Sequence, residues 1–167
     1  MLPASTTKRA IVERFDRESL PGYINPLTFQ QPAGVELLTE QGLAMMIPYS
    51  EVRMVAFVRD FHPPSEPWRP VFRNRPKMEG LWVSLELRDG DRLEGVLPNN
   101  LLQIESQGFT IIPPDPFGHR QRLFVPRLAL KKVEVLGVVG SSVQKRKAKP
   151  APAEQIGLFD DGRPGES

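Results

Sequence analysis

Acid–base, nucleophilic and metal chemistry all need suitable side chains brought together, and this chain has few of them. Its two histidines, His62 and His119, lie in proline-rich stretches, and neither has a second histidine at metal-ligand spacing. Asp60 precedes His62 by two residues, so in an extended segment both side chains point the same way, but no nucleophile stands beside them. Ser19, Ser50 and Ser84 lack the Gly-x-Ser-x-Gly frame that activates a serine, and no glycine-rich phosphate loop occurs. The chain has no cysteine, which excludes thiolate chemistry and disulfides. No catalytic residue, metal ligand set or cofactor site is therefore expected. The expectation is a protein that binds and is not an enzyme.

Two basic stretches could bind. Arg73-Asn74-Arg75-Pro76-Lys77 and His119-Arg120-Gln121-Arg122 lie beside Phe72, Phe117 and Phe124. Cationic side chains interleaved with aromatic faces can hold single-stranded nucleic acid by phosphate contact and base stacking. Arg73, Arg75, Lys77, Arg120 and Arg122 are thus candidate RNA contacts. Charge balance argues against this. The 22 Lys and Arg residues face 20 Asp and Glu, giving +2 overall, and the two signs are interspersed along most of the chain. Nucleic-acid affinity needs clustered positive charge. The favoured expectation makes the aromatics core or linker anchors and the arginines a solvated rim, with a protein as partner.

The elements that would carry these residues are short strands. A chain of 167 residues suits one ordinary domain or two small ones, and its 40% hydrophobic content is enough for a packed core. Eighteen prolines and thirteen glycines favour many turns over long helices. The residues after Met1 do not form the apolar region of a signal peptide, and no apolar run reaches membrane-spanning length, so a cytoplasmic location without membrane contact is expected.

The sequence also reads as an internal repeat. Leu81–Leu87 alternates apolar and polar residues, meets Arg88-Asp89-Gly90, and resumes at Arg92–Leu97, a hairpin pattern. Ala10–Phe15, Asp16-Arg17-Glu18 and Ser19–Ile24 follow the same order, so that Asp16 aligns with Asp89, Leu20 with Leu93 and Gly22 with Gly95. Gly34–Leu38 aligns with Gly108–Ile112, Ile47–Val52 with Val125–Leu130, and Val55–Val58 with Val133–Leu136. Arg17 stands where the second turn has glycine, and Arg14 at an expected apolar position. The expected fold is all-β: two tandem five-stranded barrels with a single-turn helix before each last strand. They span residues 8–60 and 80–140, joined by a proline-rich linker over 61–79 that Trp68 and Phe72 pin. Small barrels of this kind close by bending at glycines such as Gly22 and Gly95. Residues 141–167 turn basic and then Gly- and Pro-rich, the composition of a disordered tail.

The order of apolar strand, Asp-Gly turn, Leu-x-Gly and later Pro-x-x-x-Val resembles Sm-like barrels and the wider SH3-like class, many of which bind RNA. Met54-Val55-Ala56-Phe57-Val58-Arg59-Asp60-Phe61 resembles the Val-x-Phe-Val-Arg-Asp-Phe signature of an uncharacterised bacterial family, with similarity from about Lys8 to Gly140. That family implies an accessory module, sometimes near PilZ or response-regulator domains, but no activity. The Arg-x-x-x-Arg and Asp-x-Ser-x-x-Gly order of a cyclic-dinucleotide-binding PilZ domain does not occur here. In the tail, Gln155-Ile156-Gly157-Leu158-Phe159 resembles the bacterial sliding-clamp-binding peptide. By that resemblance Gln155 hydrogen-bonds at the rim of the clamp's groove, Leu158 and Phe159 fill its apolar pocket, and Ile156 is a lesser anchor. This makes a DNA-replication or repair accessory factor the alternative function.

Overall fold

A computed structural model of the chain describes residues 6–116 and 118–140. Among these residues the fold is all-β, with no α-helix. The strands are β1 (Lys8–Arg14), β2 (Ser19–Ile24), β3 (Gln30–Gln31), β4 (Gly34–Thr39), β5 (Ala44–Pro48), β6 (Val52–Val58), β7 (Gly80–Leu87), β8 (Arg92–Leu97), β9 (Gly108–Ile111), β10 (Arg120–Pro126) and β11 (Leu130–Val139). A single 3₁₀ turn at Arg127–Ala129 precedes β11, whereas the chain before β6 makes a simple turn.

Two antiparallel sheets form. The larger runs β5–β4–β2–β1–β6–β10–β9, with the short β3 also on β4, and the smaller runs β11–β7–β8. A bridge between Val96 and Ile112 ties β8 to the end of β9. The larger sheet therefore takes strands from both sides of segment 61–79, through the β6–β10 pairing.

That pairing explains why β6 reads as an unbroken run, Val-Arg-Met-Val-Ala-Phe-Val. All seven of its residues are buried, because both faces of the strand are covered. Val55 and Phe57 face one core with Val12, Leu37 and Phe29, while Met54, Ala56 and Val58 face a second with Leu85, Leu93 and Leu123. Phe124 on β10 enters the first core, where Phe29 meets its ring edge-on at 5.1 Å, and Leu123 and Val125 enter the second.

Pairing runs alike on the two sides of segment 61–79. Ala10 faces Gly22 and Phe57, and Val83 faces Gly95 and Val135. Tyr23 faces Leu38 as Val96 faces Ile112, and Val35 faces Ile47 as Phe109 faces Val125. Neighbouring chain crowds both strand glycines. A Cβ on Gly22 would lie 2.5 Å from the Leu38 carbonyl oxygen, and one on Gly95 would lie 2.6 Å from Ile111 Cδ1. In the β1–β2 turn Arg17 adopts φ 72°, the left-handed conformation that Gly90 adopts at φ 92° in the β7–β8 turn. Among the described residues no helix is long and apolar enough to cross a membrane.

Candidate functional site

Segment 61–79 lies across the β7–β8 hairpin, and a buried carboxylate fixes it there. Glu94 accepts from the Phe72 N–H at 3.2 Å and from the Trp82 indole at 3.1 Å, while its own N–H donates to the Pro70 carbonyl at 2.7 Å. Phe72 packs edge-on against Trp82, and Trp68 packs against the second core beneath the Arg120 guanidinium, 4.3 Å from its ring centre. Further along, Arg75 donates to the Val138 carbonyl at 2.5 Å. The prolines pre-set an extended backbone, so little chain entropy is lost in holding this course.

Between this segment and the loop leading into β10 opens a cleft of about 790 Å³. Arg69, Arg73 and Lys77 line it, exposed and without an ion pair among the described residues. Asp60, Glu66 and Asp115 are the acidic groups on its wall. A second cleft, of about 720 Å³, lies on the neighbouring face; Lys8, Arg9, Arg122 and Tyr23 line it, and Arg59 borders both.

The structure thus brings Arg73, Arg75, Lys77 and Arg120 to one cleft and puts Arg122 in the other. Two of the expected RNA contacts are engaged internally, Arg75 with the β11 backbone and Arg120 with Glu13 at 2.6 Å. The aromatics beside these cations lie as the favoured expectation of core or linker anchors has them, not as stacking platforms. Phe124 is wholly buried and Phe72 is half-buried, edge-on to Trp82; for rings of this size burial outweighs exposure for an absent ligand. Phe117 lies outside the described residues.

His62 is exposed, with Nδ1 3.4 Å from Asp60, and no nucleophile is placed beside it. Ser84 is buried and accepts from Arg92 Nε at 2.7 Å. No cluster of three or more His, Asp or Glu side chains among the described residues could hold a metal ion.

A second charged group was not foreseen. Arg53, buried on β6, donates to Asp89 at 2.8 Å, approaches Glu13 at 3.4 Å and also binds Asp91. Arg17 reaches Asp89 and Asp91 at 3.6 Å, and Arg88 from the β7–β8 turn lies over the Phe15 ring at 3.8 Å. Burial alone would raise the Asp89 carboxyl. Hydrogen bonds from Arg53 and the Asp91 N–H, with the charges of Arg53 and Arg17, nevertheless hold it below the usual carboxylate value. Burial lowers the Arg120 guanidinium, opposed by Glu13 and reinforced by Arg53. The one available signal was an arginine inside an otherwise apolar strand. Arg14, the other unexpected charge, pairs with Glu18 at 3.0 Å and Glu51 at 2.7 Å, while its buried Nε has no hydrogen-bond partner among the described residues.

The motif residues Gln155, Ile156, Leu158 and Phe159 lie outside the described residues. No curated protein and no solved structure matches the chain. A model of a family of unknown function, DUF6982, matches residues 6–137, a span that includes both cores and most of the residues lining both clefts, and the chain belongs to that family.

Proposed function

We propose that the protein is a non-catalytic interaction module built from two copies of one small SH3-like or Sm-like barrel, and that its main cleft takes an acidic segment of a partner protein. The duplication is supported by the shared registers: aligned residues in the two halves meet aligned partners, from Ala10–Gly22 and Val83–Gly95 to Val35–Ile47 and Phe109–Val125. The cleft reading rests on one observation. Arg69, Arg73 and Lys77 have no ion pair among the described residues and stand along a cleft whose wall is already fixed by the Glu94 hydrogen bonds. Such a site loses little further entropy on binding. A protein ligand is favoured over RNA because Phe124 is wholly buried, Phe72 is half-buried against Trp82 and Trp68 is half-buried beneath Arg120, which leaves base stacking little free ring face.

The test is fluorescence anisotropy at low salt with a labelled polyglutamate peptide and a labelled oligouridylate of equal length. The peptide binds, and the charge reversal Arg73→Glu/Lys77→Glu abolishes binding while the fold is kept. If neither probe binds, the cleft reading fails. If the oligouridylate binds and the peptide does not, the RNA reading replaces it.

The tail supports a separate contact on its sequence alone, with the bacterial sliding clamp through Gln155, Ile156, Leu158 and Phe159. That contact is independent of the cleft.

A further inference from the structure

The β6–β10 junction lies between the closing strand of the N-terminal half and the fourth strand of the C-terminal half, and each half carries one such strand that remains unused. In the alignment of the halves, β11 is the counterpart of β6 and β5 is the counterpart of β10. Among the described residues β11 pairs only with β7, and β5 only with β4. Among the described residues the fold therefore has two unpaired edges, one of each kind that the internal junction joins.

Burial separates the used strands from the unused ones. At the junction Phe124 faces Val55, and both are 0% exposed; their counterparts Met46 and Val133 are 47% and 39% exposed. Phe57 is 8% exposed and its counterpart Val135 is 60% exposed. Val58 is 5% exposed and its counterpart Leu136 is 39% exposed. These four aligned pairs stay apolar in both halves, whereas Ala56 is matched by Glu134, and only the junction set is covered.

Native edge strands are normally blunted by charge, proline or short length. Here β5, Ala-Met-Met-Ile-Pro, carries no charge and has its proline only at the end, while β11 carries Lys131, Lys132 and Glu134 in its first half and none in its last five residues, Val-Leu-Gly-Val-Val. The large apolar side chains that both strands nevertheless expose, Met45 and Met46 on β5 and Val133, Val135 and Leu136 on β11, point to an occupant.

We propose that the occupant is a second copy of this chain: β5 of one copy pairs antiparallel with β11 of the next, repeating the β6–β10 junction between molecules. The inference rests on the duplicated reading of the fold but not on the ligand of the cleft. The internal register transfers directly. Phe124 opposite Val55 becomes Met46 opposite Val133, and Leu123 opposite Ala56 becomes Met45 opposite Glu134. The contact is heterologous, since each copy gives β5 to one neighbour and receives β5 from another. Repetition closes into a ring or continues as a filament according to the rotation between copies.

Two experiments on the full-length chain test this. In the first, sedimentation velocity is run on the wild type, on Met46→Lys and on Val135→Lys, with circular dichroism to verify that each variant is folded. Both substitutions are at exposed positions, so the fold has little reason to suffer. The wild type sediments as a multimer and each variant alone as a monomer. An equimolar mixture of the two variants forms a one-to-one dimer and nothing larger, because it retains one intact β5 and one intact β11. A monomeric wild type overturns the proposal, as does either variant alone still self-associating, which would mean that one edge pairs with itself.

In the second, the absence of cysteine allows a clean crosslink. Directly opposed strand residues have Cβ atoms about 4.5–5.5 Å apart, within reach of a disulfide after small adjustment. Met46→Cys/Val133→Cys oxidises to an interchain ladder on a non-reducing gel, and the out-of-register pair Met45→Cys/Val133→Cys gives at least tenfold less. Equal ladders from the two pairs, or none from the first, overturn the register. Polyglutamate binding by a protein that proves monomeric would leave the cleft reading standing while this one falls. A multimer whose registers in the crosslink match but which binds no peptide would do the reverse.

Discussion

Replacing Arg53 by methionine removes the cation that joins β6 to the β7–β8 turn and leaves a side chain of similar length in its place. Arg53 has a side chain only 6% exposed, while those of Asp89 and Asp91 are 19% and 51% exposed. Breaking a fully buried pair costs about 3–5 kcal/mol, because the surviving charge is left without a partner. Water recovers most of the loss at Asp91 and part of it at Asp89, and Glu13 keeps Arg120, so the expected cost is about 2–3 kcal/mol at neutral pH. In a chain of this size that corresponds to a Tm lower by roughly 5–10 °C. The sign of the pH dependence follows from Asp89, whose carboxyl in the folded state is held below the usual value. Its contribution is fully present above the unfolded-state value, about 3.9, and is lost as pH falls through the folded-state value. Wild type and Arg53→Met should therefore converge in stability on acidification below about pH 4. Urea unfolding at neutral and acidic pH measures both quantities. A neutral-pH cost within the ~0–1 kcal/mol of an exposed pair, or a difference that widens in acid, would refute the reasoning.

Other substitutions test the local geometry. Gly95→Ala places a Cβ 2.6 Å from Ile111 Cδ1 and 2.7 Å from its Cβ, so denaturant unfolding should show a loss of about 1–3 kcal/mol. Gly22→Ala should cost at least as much, because its nearest neighbour is a backbone oxygen that cannot rotate away. Arg17→Gly relieves a left-handed non-glycine residue and gives up only two long, exposed ion pairs, so thermal unfolding should show a gain of about 0.5–1.5 kcal/mol. An immobilised peptide of residues 150–167 should retain bacterial sliding clamp, and its Leu158→Ala/Phe159→Ala version should not; equal retention by both marks the motif as accidental.

Strand positions were legible because burial imposes a pattern on the residues themselves. The Asp-Gly turn placed β7 and β8, and Gly22, Gly34 and Gly108 marked close approaches or strand starts that the pairing bears out. The left-handed Arg17 was visible as a substitution at a glycine position. The candidate cleft was legible only in part. Arg73 and Lys77 were identified as exposed cations and Phe72 and Phe124 as linker or core anchors, but the rings they meet, Trp82 and Phe29, were set by the tertiary pairing.

What the sequence determined by itself is the short-range content of the fold: alternation, turns and where the strands begin and end. Which strand lies beside β6, and hence why both of its faces are apolar, depended on where β10 arrives from the far side of a proline-rich crossing. The tertiary structure alone also decided that Arg53 meets Asp89 and Asp91 and that, among the described residues, β5 pairs only with β4 and β11 only with β7. Pairings between distant segments are chosen by the whole arrangement of cores, and no local run of residues encodes them.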